Sequence, residues 1–281
     1  MRILTSRQAL RWVASSALLL SCGVGHATWS IVAVDPKTRE VGLAAATCNL
    51  NIQFIAAVVP GAGVVVAQAG TSFKGRDQAV EWMADGVGAQ AILQRLSDAE
   101  FYGGWFYTQF PDLQYGVATL IDGPEAGYVG GDDLVPWHGG KSGPTYSVQG
   151  NMLRGEDVVA EAERAFGVES LSACRLTLGD RLLRALEAGR DAGGDVRCSR
   201  VRPAQSAMLA TARAPDLSGT KEEVGPSLRI VIPRETTLLH AAYSQIFPDV
   251  PDEDAAEPVQ ALREKFEKLG GRRCRAPSPP S

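Results

Sequence analysis

Thr28-Trp29-Ser30-Ile31-Val32-Ala33-Val34-Asp35-Pro36-Lys37-Thr38-Arg39-Glu40-Val41-Gly42-Leu43-Ala44-Ala45-Ala46-Thr47-Cys48 is the stretch whose reading decides the fold class. Thr28 to Val34 alternates and is rich in β-branched residues, Asp35-Pro36-Lys37-Thr38 has turn chemistry, and Glu40 to Cys48 returns as a second strand. The apolar stretch from Phe54 to Ala69 is broken by Pro60, Gly61 and Gly63 and reads as buried strands, with Val64 to Ala69 the clearest. The period then changes. Apolar residues at i, i+3, i+4 spacing predict helices over Gly75–Ala84 and Val87–Leu96, joined around Gly86. Short strands are expected at Tyr115–Ile121, Gly127–Val129 and Tyr146–Gln149, followed by helices over Glu156–Phe166 and Ser170–Ala188. Strands at Ser206–Arg213 and Leu228–Ile232 complete the pattern. This grouping of strands and helices, without strict alternation, predicts an α+β fold of sheets packed on each other with helices outside. Residues 28–250 read as one domain. A helix over Glu257–Leu269 lies in an extension spanning 251–269, and the basic, Pro/Ser-rich tail 270–281 is expected to be disordered.

The chain of 281 residues is 45% hydrophobic and 21% charged, ordinary for a folded protein with a sizeable core. Residues 1–27 have the three parts of a secretory signal peptide. Arg2, Arg7 and Arg11 form the basic segment, Trp12 to Leu20 an apolar run, and Gly25-His26-Ala27 a cleavage site that leaves Thr28 first. The apolar run falls short of the roughly 20 residues a membrane-spanning helix needs. Removing the leader takes three arginines from the 28 basic residues and none of the 32 acidic ones, so formal charge moves from −4 to −7. An acidic chain without a Lys/Arg cluster is poorly suited to phosphate backbones, which excludes nucleic acid as a partner. The reading is therefore an exported protein, periplasmic or secreted. Leu19-Leu20-Ser21-Cys22 also resembles a lipobox, and lipid anchoring through Cys22 stays open as a second processing route.

Cysteine usage fits export. Without Cys22 the chain keeps Cys48, Cys174, Cys198 and Cys274, enough for two disulfides in three connectivities that sequence does not rank. No pair is spaced as metal ligands, and only His138 and His240 survive processing, so no metal site is expected. Gly86-Val87-Gly88-Ala89-Gln90-Ala91 matches a dinucleotide fingerprint formally but follows a helical pattern instead of a strand. There is neither a P-loop nor a Gly-x-Ser-x-Gly elbow, and no cofactor is expected.

Thr28 is the residue with chemistry. As a free amino terminus it holds nucleophile and base together: the hydroxyl attacks a carbonyl, and the α-amine, with a pKa of about 7.7–8.0, accepts its proton. Gly150 and Asn151, after a predicted strand, are candidate oxyanion donors, with a tight turn as the structural alternative. Lys74 and Lys141 are candidates for lowering the amine's pKa. The aromatic run Phe101, Tyr102, Trp105, Phe106, Tyr107 and Phe110, together with His138, is a candidate binding surface, with a core-capping loop the alternative.

Thr28 to Pro36 with Glu40-Val41-Gly42-Leu43-Ala44 resembles the start of a bacterial and archaeal family catalogued as domain of unknown function ten-twenty-eight. That family is assigned to the N-terminal-nucleophile hydrolase superfamily. Gly61-Ala62-Gly63-Val64 with Ala67-Gln68 is also similar, as is Tyr146-Ser147-Val148-Gln149-Gly150-Asn151-Met152-Leu153. So is Arg184-Ala185-Leu186-Glu187-Ala188-Gly189, leading through Gly193-Gly194-Asp195 to Gln205-Ser206-Ala207. The resemblance implies a four-layer α-β-β-α sandwich of two packed antiparallel sheets, a small-molecule or peptide amide substrate, and Thr28 as nucleophile. Superfamily members often assemble, so a homo-oligomer is an expectation. The chain departs from the family pattern at Trp137-His138-Gly139, at Cys198 and in the aromatic stretch Asp98–Pro111. A catalytically silent binding protein on the same sandwich is the alternative reading.

Overall fold

The alternation of the opening stretch divides its side chains between two apolar environments. In the computed structural model, which describes residues 27–50, 52–70, 72–102, 112–132, 134–171, 174–213, 229–230, 237–245 and 257–268, strands β1 (Thr28–Asp35) and β2 (Glu40–Thr47) pair antiparallel from Thr28↔Thr47 to Asp35↔Glu40. Trp29, Ile31 and Ala33 enter a cluster shared with helices, whereas Val32 and Val34 enter one that lies between two sheets. A period of two is what a strand buried on both faces requires.

The chain continues through β3 (Ala56–Val59), β4 (Gly63–Ala69), α1 (Phe73–Ala84), α2 (Ala89–Leu96) and the short α3 (Ala99–Tyr102). Next come β5 (Leu113–Thr119), β6 (Glu125–Gly130), β7 (His138–Gly143), β8 (Tyr146–Asn151) and α4 (Asp157–Phe166). A two-stranded ribbon, β9 (Ser170–Leu171) with β10 (Cys174–Arg175), precedes α5 (Leu178–Asp191). The chain closes with β11 (Ser206–Arg213), β12 (Arg229–Ile230), β13 (Thr237–Gln245) and α6 (Pro258–Lys268).

One sheet has six strands in the order β13-β11-β2-β1-β8-β7, the other five in the order β12-β3-β4-β5-β6. Both are antiparallel apart from the two-residue pairing of β12 with β3. Val158, Leu182, Leu186, Leu262 and Phe266 of α4, α5 and α6 cover the outer face of the six-stranded sheet. Val80, Met83, Ile92 and Leu96 of α1 and α2 cover the five-stranded one through Tyr115 and Val117. The result is the expected α+β arrangement in four layers, α-β-β-α. Helix α6, expected as an extension, contributes Val259, Leu262 and Phe266 to the same core as α4 and α5.

Several elements differ from the sequence reading, and the nine-residue strand β13 lies where none was expected. The helix expected from Ser170 begins only at Leu178. Thr177 and Asp180 form a capping box there, the Thr177 hydroxyl accepting from the Asp180 N–H at 3.2 Å and the Asp180 carboxylate accepting from the Thr177 N–H at 3.2 Å. Strand β7 was not expected, since His138-Gly139-Gly140-Lys141-Ser142-Gly143 carries no apolar alternation; its pairing is with β8 from His138↔Asn151 to Gly143↔Tyr146. The leader, Cys22, the tail from 270 and Cys274 lie outside the described residues.

Candidate active site

Strand register assembles a polar row at one end of the sandwich. Ser206, Thr47, Thr28, Asn151 and His138 are successive cross-strand partners on β11, β2, β1, β8 and β7. Directly opposed residues share a face, and Thr28 shares its face with Val32 and Val34, so the row looks toward the other sheet. One step further in, Ser30 stands opposite Gln149. From the five-stranded sheet Gln68 and Gln114, opposed across β4 and β5, come up to meet them. The far end of the same layer is hydrocarbon, with Val34, Val41, Val64 and Ala212.

These buried polar groups bind one another. The Ser30 hydroxyl donates to Gln68 Oε1 at 2.6 Å and accepts from Gln149 Nε2 at 2.7 Å. Gln68 Nε2 donates to Gln114 Oε1 at 2.7 Å and reaches the Thr28 carbonyl at 3.4 Å. Asn151 Nδ2 donates to Gln114 Oε1 at 3.1 Å, which leaves Asn151 Oδ1 as a buried acceptor with no hydrogen-bond partner among the described residues. Such a network bridges the sheets by about 1 kcal/mol per satisfied bond, and an orphaned buried acceptor costs about 1–3 kcal/mol.

The carbonyl oxygen of Ala27, one residue ahead of Thr28, is held by two side chains. The Thr47 hydroxyl donates to it, and Arg197 Nη2 donates to it at 3.1 Å. Arg197 is held in turn: Nη2 lies 2.7 Å from Asp195 Oδ2, Nε lies 3.1 Å from Oδ1, and Nη1 reaches Asn49 Oδ1 at 3.3 Å. Asp195 is fully buried, and its Oδ2 also accepts the Cys48 N–H at 2.7 Å. A disulfide joins Cys48 to Cys198 and ties the Asp195–Cys198 segment to the end of β2. Ala27 and Thr28 are both enclosed, with 0% and 1% of their surface exposed.

A family model described as a family of unknown function, DUF1028, matches residues 28–235, starting on Thr28 itself. The chain belongs to DUF1028. A crystal structure of a DUF1028 protein from Silicibacter pomeroyi has a similar fold, with a TM-score of 0.59 and 20% identity over 88% of this chain and 91% of that one. No curated protein matches the chain.

The residues expected to act together in this DUF1028 chain are only partly brought together. Thr28 and Asn151 are cross-strand partners, and Gly150 pairs with Trp29 on one side and Gly139 on the other. Gly150 and Asn151 thus lie within β8, in place of the tight turn after it. His138 stands two strands from Thr28, about 10 Å at normal strand spacing. Its Nδ1 lies 2.8 Å from the Leu134 carbonyl, which only accepts, so Nδ1–H is the donor of that bond.

Lys141 pairs with Val148 across β7 and β8, and Val148 faces the helices; the lysine's salt bridge is to Glu163 of α4 at 3.7 Å. Lys74, on α1 outside the five-stranded sheet, donates to the Phe101 carbonyl and sits 4.5 Å from the Phe101 ring centroid. Neither lysine is brought to Thr28. Phe101 packs on Trp82 at 5.4 Å, and Tyr102 is buried with its hydroxyl 2.9 Å from the Leu96 carbonyl, so both belong to the outer helix layer. Trp105, Phe106, Tyr107 and Phe110 lie outside the described residues. Among the described residues no three of His, Cys, Asp and Glu gather as a metal site, and no helix is long and apolar enough to cross a membrane.

Sequence reasoning missed Thr47, Arg197, Asn49 and Gln114 as site residues. Asp195 and Gln68 fall inside stretches that carried the family resemblance but had no assigned role. Arg197 gives no local signal, because its contact with Ala27 spans 170 residues.

Proposed function

We propose that the mature chain is an exported amide hydrolase whose nucleophile is Thr28, acting in the manner of the N-terminal-nucleophile superfamily. The observation that carries this reading is the place of Thr28. It opens an interior strand of the larger sheet, at the polar end of the sandwich, and it is also where the family match begins. Once residues 1–27 are gone, its α-amine takes the hydroxyl proton while Oγ attacks the amide carbonyl carbon. The tetrahedral adduct collapses with cleavage of the C–N bond, the leaving amine taking the proton held by the α-amine. Water then adds to the ester through the same base and releases the acid. Nucleophile and base share one residue, and the ladders to β2 and β8 hold it, so orientation requires no loop closure.

Two further features support the reading. Asn151 Oδ1, the orphaned acceptor on the strand beside Thr28, suits an amine that gains N–H donors when the Ala27 amide is lost. The disulfide Cys48–Cys198, with Cys174 also disulfide-bonded, fits an oxidising compartment. Intact-mass measurement of the exported chain, followed by treatment with a β-lactone probe and peptide mapping, tests the proposal. Acylation at residue 28 in the wild type and none in Thr28→Ala is the expected result. A mature chain starting ahead of Thr28, or labelling unchanged in Thr28→Ala, overturns it in favour of a binding protein.

A further inference from the structure

The two donors on the Ala27 carbonyl have a use that outlasts the leader. An acyl group on the nitrogen of a threonine and one on its Oγ interconvert through a five-membered ring. Their carbonyl oxygens therefore occupy neighbouring positions, and the Ala27 carbonyl marks the place where the carbonyl of an acyl group on Thr28 Oγ would sit. That place is served by a hydroxyl and a guanidinium N–H, from Thr47 Oγ1 and Arg197 Nη2. The two donors are coupled, Arg197 Nη2 lying 3.4 Å from Thr47 Oγ1, so the hydroxyl accepts from the guanidinium while donating to the carbonyl. This fixes the hydroxyl proton on the carbonyl side.

Resting on the assignment of Thr28 as nucleophile, we propose that Thr47 and Arg197 form the oxyanion site of this enzyme, receiving the substrate's scissile carbonyl oxygen in the place of Ala27's. As Thr28 Oγ bonds to the carbonyl carbon, the π pair moves onto that oxygen, and the two donors hold the charge until it re-forms the double bond and expels the amine. Charge balance bears on the kind of group received. Arg197 is already paired with the buried Asp195 carboxylate, so the cradle carries little net charge. It therefore suits a neutral amide carbonyl that becomes negative only in the transition state, more than a permanent carboxylate. Preorganisation is supplied by parts with no freedom to spare: Thr47 closes the β2 ladder, and the Arg197 segment is anchored by Asp195 and the disulfide.

The chain beginning at Thr28 is treated with a β-lactone, and the acylation rate at residue 28 is followed by intact mass across pH. Removing one such donor costs about 100- to 1000-fold. Thr47→Val is expected to slow acylation by that factor at every pH without moving the midpoint of the profile, and Thr47→Ser to restore most of it. Arg197→Lys, which keeps the charge and loses the fork, is expected to slow it as well. Wild-type rates in both Thr47→Val and Arg197→Lys overturn the oxyanion assignment while leaving Thr28 as nucleophile. A shifted midpoint in Thr47→Val at an unchanged plateau rate also overturns it. No acylation of the wild type at residue 28 removes the nucleophile and this inference together. Thermal unfolding of each variant identifies one that fails to fold, in which case the serine and lysine variants decide the matter.

Discussion

The carboxylate of Asp195 grips the guanidinium of Arg197 through both oxygens, at 2.7 and 3.1 Å, and this contact decides which way the arginine fork points. Asp195→Asn loses the charge that the guanidinium faces and weakens the acceptor for the Cys48 N–H. A buried hydrogen bond to a charged group contributes about 1.5–3 kcal/mol. The variant is expected to lose about that much unfolding free energy in urea and to acylate more slowly at Thr28 than Thr47→Ser does. Unchanged stability would show that Asp195 is not held as described.

The disulfide acts on the same segment from the other side. Cys48 and Cys198 are 150 residues apart, and closing so long a loop restricts the unfolded chain, typically by about 2–4 kcal/mol. Cys48→Ser with Cys198→Ser is expected to lower the urea midpoint accordingly. It should also slow β-lactone acylation, because the arginine segment is then tied down by Asp195 alone. A variant less stable but equally fast would separate the disulfide from the site.

Trp29 sits beside Thr28 but faces the helices, its indole N–H donating to the Leu186 carbonyl at 3.2 Å. Room for the ring is made by Gly189 on α5, where an added Cβ would lie 2.7 Å from two indole atoms. Gly189→Ala is therefore expected to cost about 1–3 kcal/mol by overpacking, seen as a lower urea midpoint at unchanged slope. A neutral effect would mean that α5 moves away from the sheet freely.

Tyr102 and Tyr115 give the fold a limit in alkali. Their hydroxyls are 3.0 Å apart in the outer layer, and burial raises the pKa of both well above the ordinary phenol value. Unfolded tyrosines ionise near pH 10. Above that pH the folded state binds more protons than the unfolded one, so stability falls as pH rises. In an alkaline titration these two of the six tyrosines should contribute phenolate absorbance only as the protein unfolds. Phenolate signal from all six before unfolding would contradict their burial.

How much was legible follows from the range of each interaction. The β1–β2 pairing could be read because alternation and turn chemistry are local, and the helix periods of α1, α2 and α4 for the same reason. Strand β7 could not, since its glycines and polar residues acquire meaning only beside β8. The start of α5 was misplaced because Ser170 to Arg175 has an apolar spacing that passes for helix until Thr177 caps the real one. At the candidate site, Thr28 was singled out from the expected processing pattern ahead of it, and the structure adds its position at the start of an interior strand. Arg197, Thr47 and Gln114 were not, because ordinary polar residues become a site only when strand register and a distant loop deliver them to the same carbonyl. The two lysines failed as candidates for the converse reason: strand parity turns Lys141 outward, and Lys74 belongs to a helix on the opposite sheet.

The enclosure of the Ala27–Thr28 bond has a practical side. A protease acting on the finished fold finds little purchase there, so the proposed trimming is expected while the polypeptide is still extended. With Thr28 acting as proposed, affinity handles fused upstream are expected to give well-folded preparations that are silent in a turnover screen. A test of the proposed activity therefore places its handle at the carboxyl end.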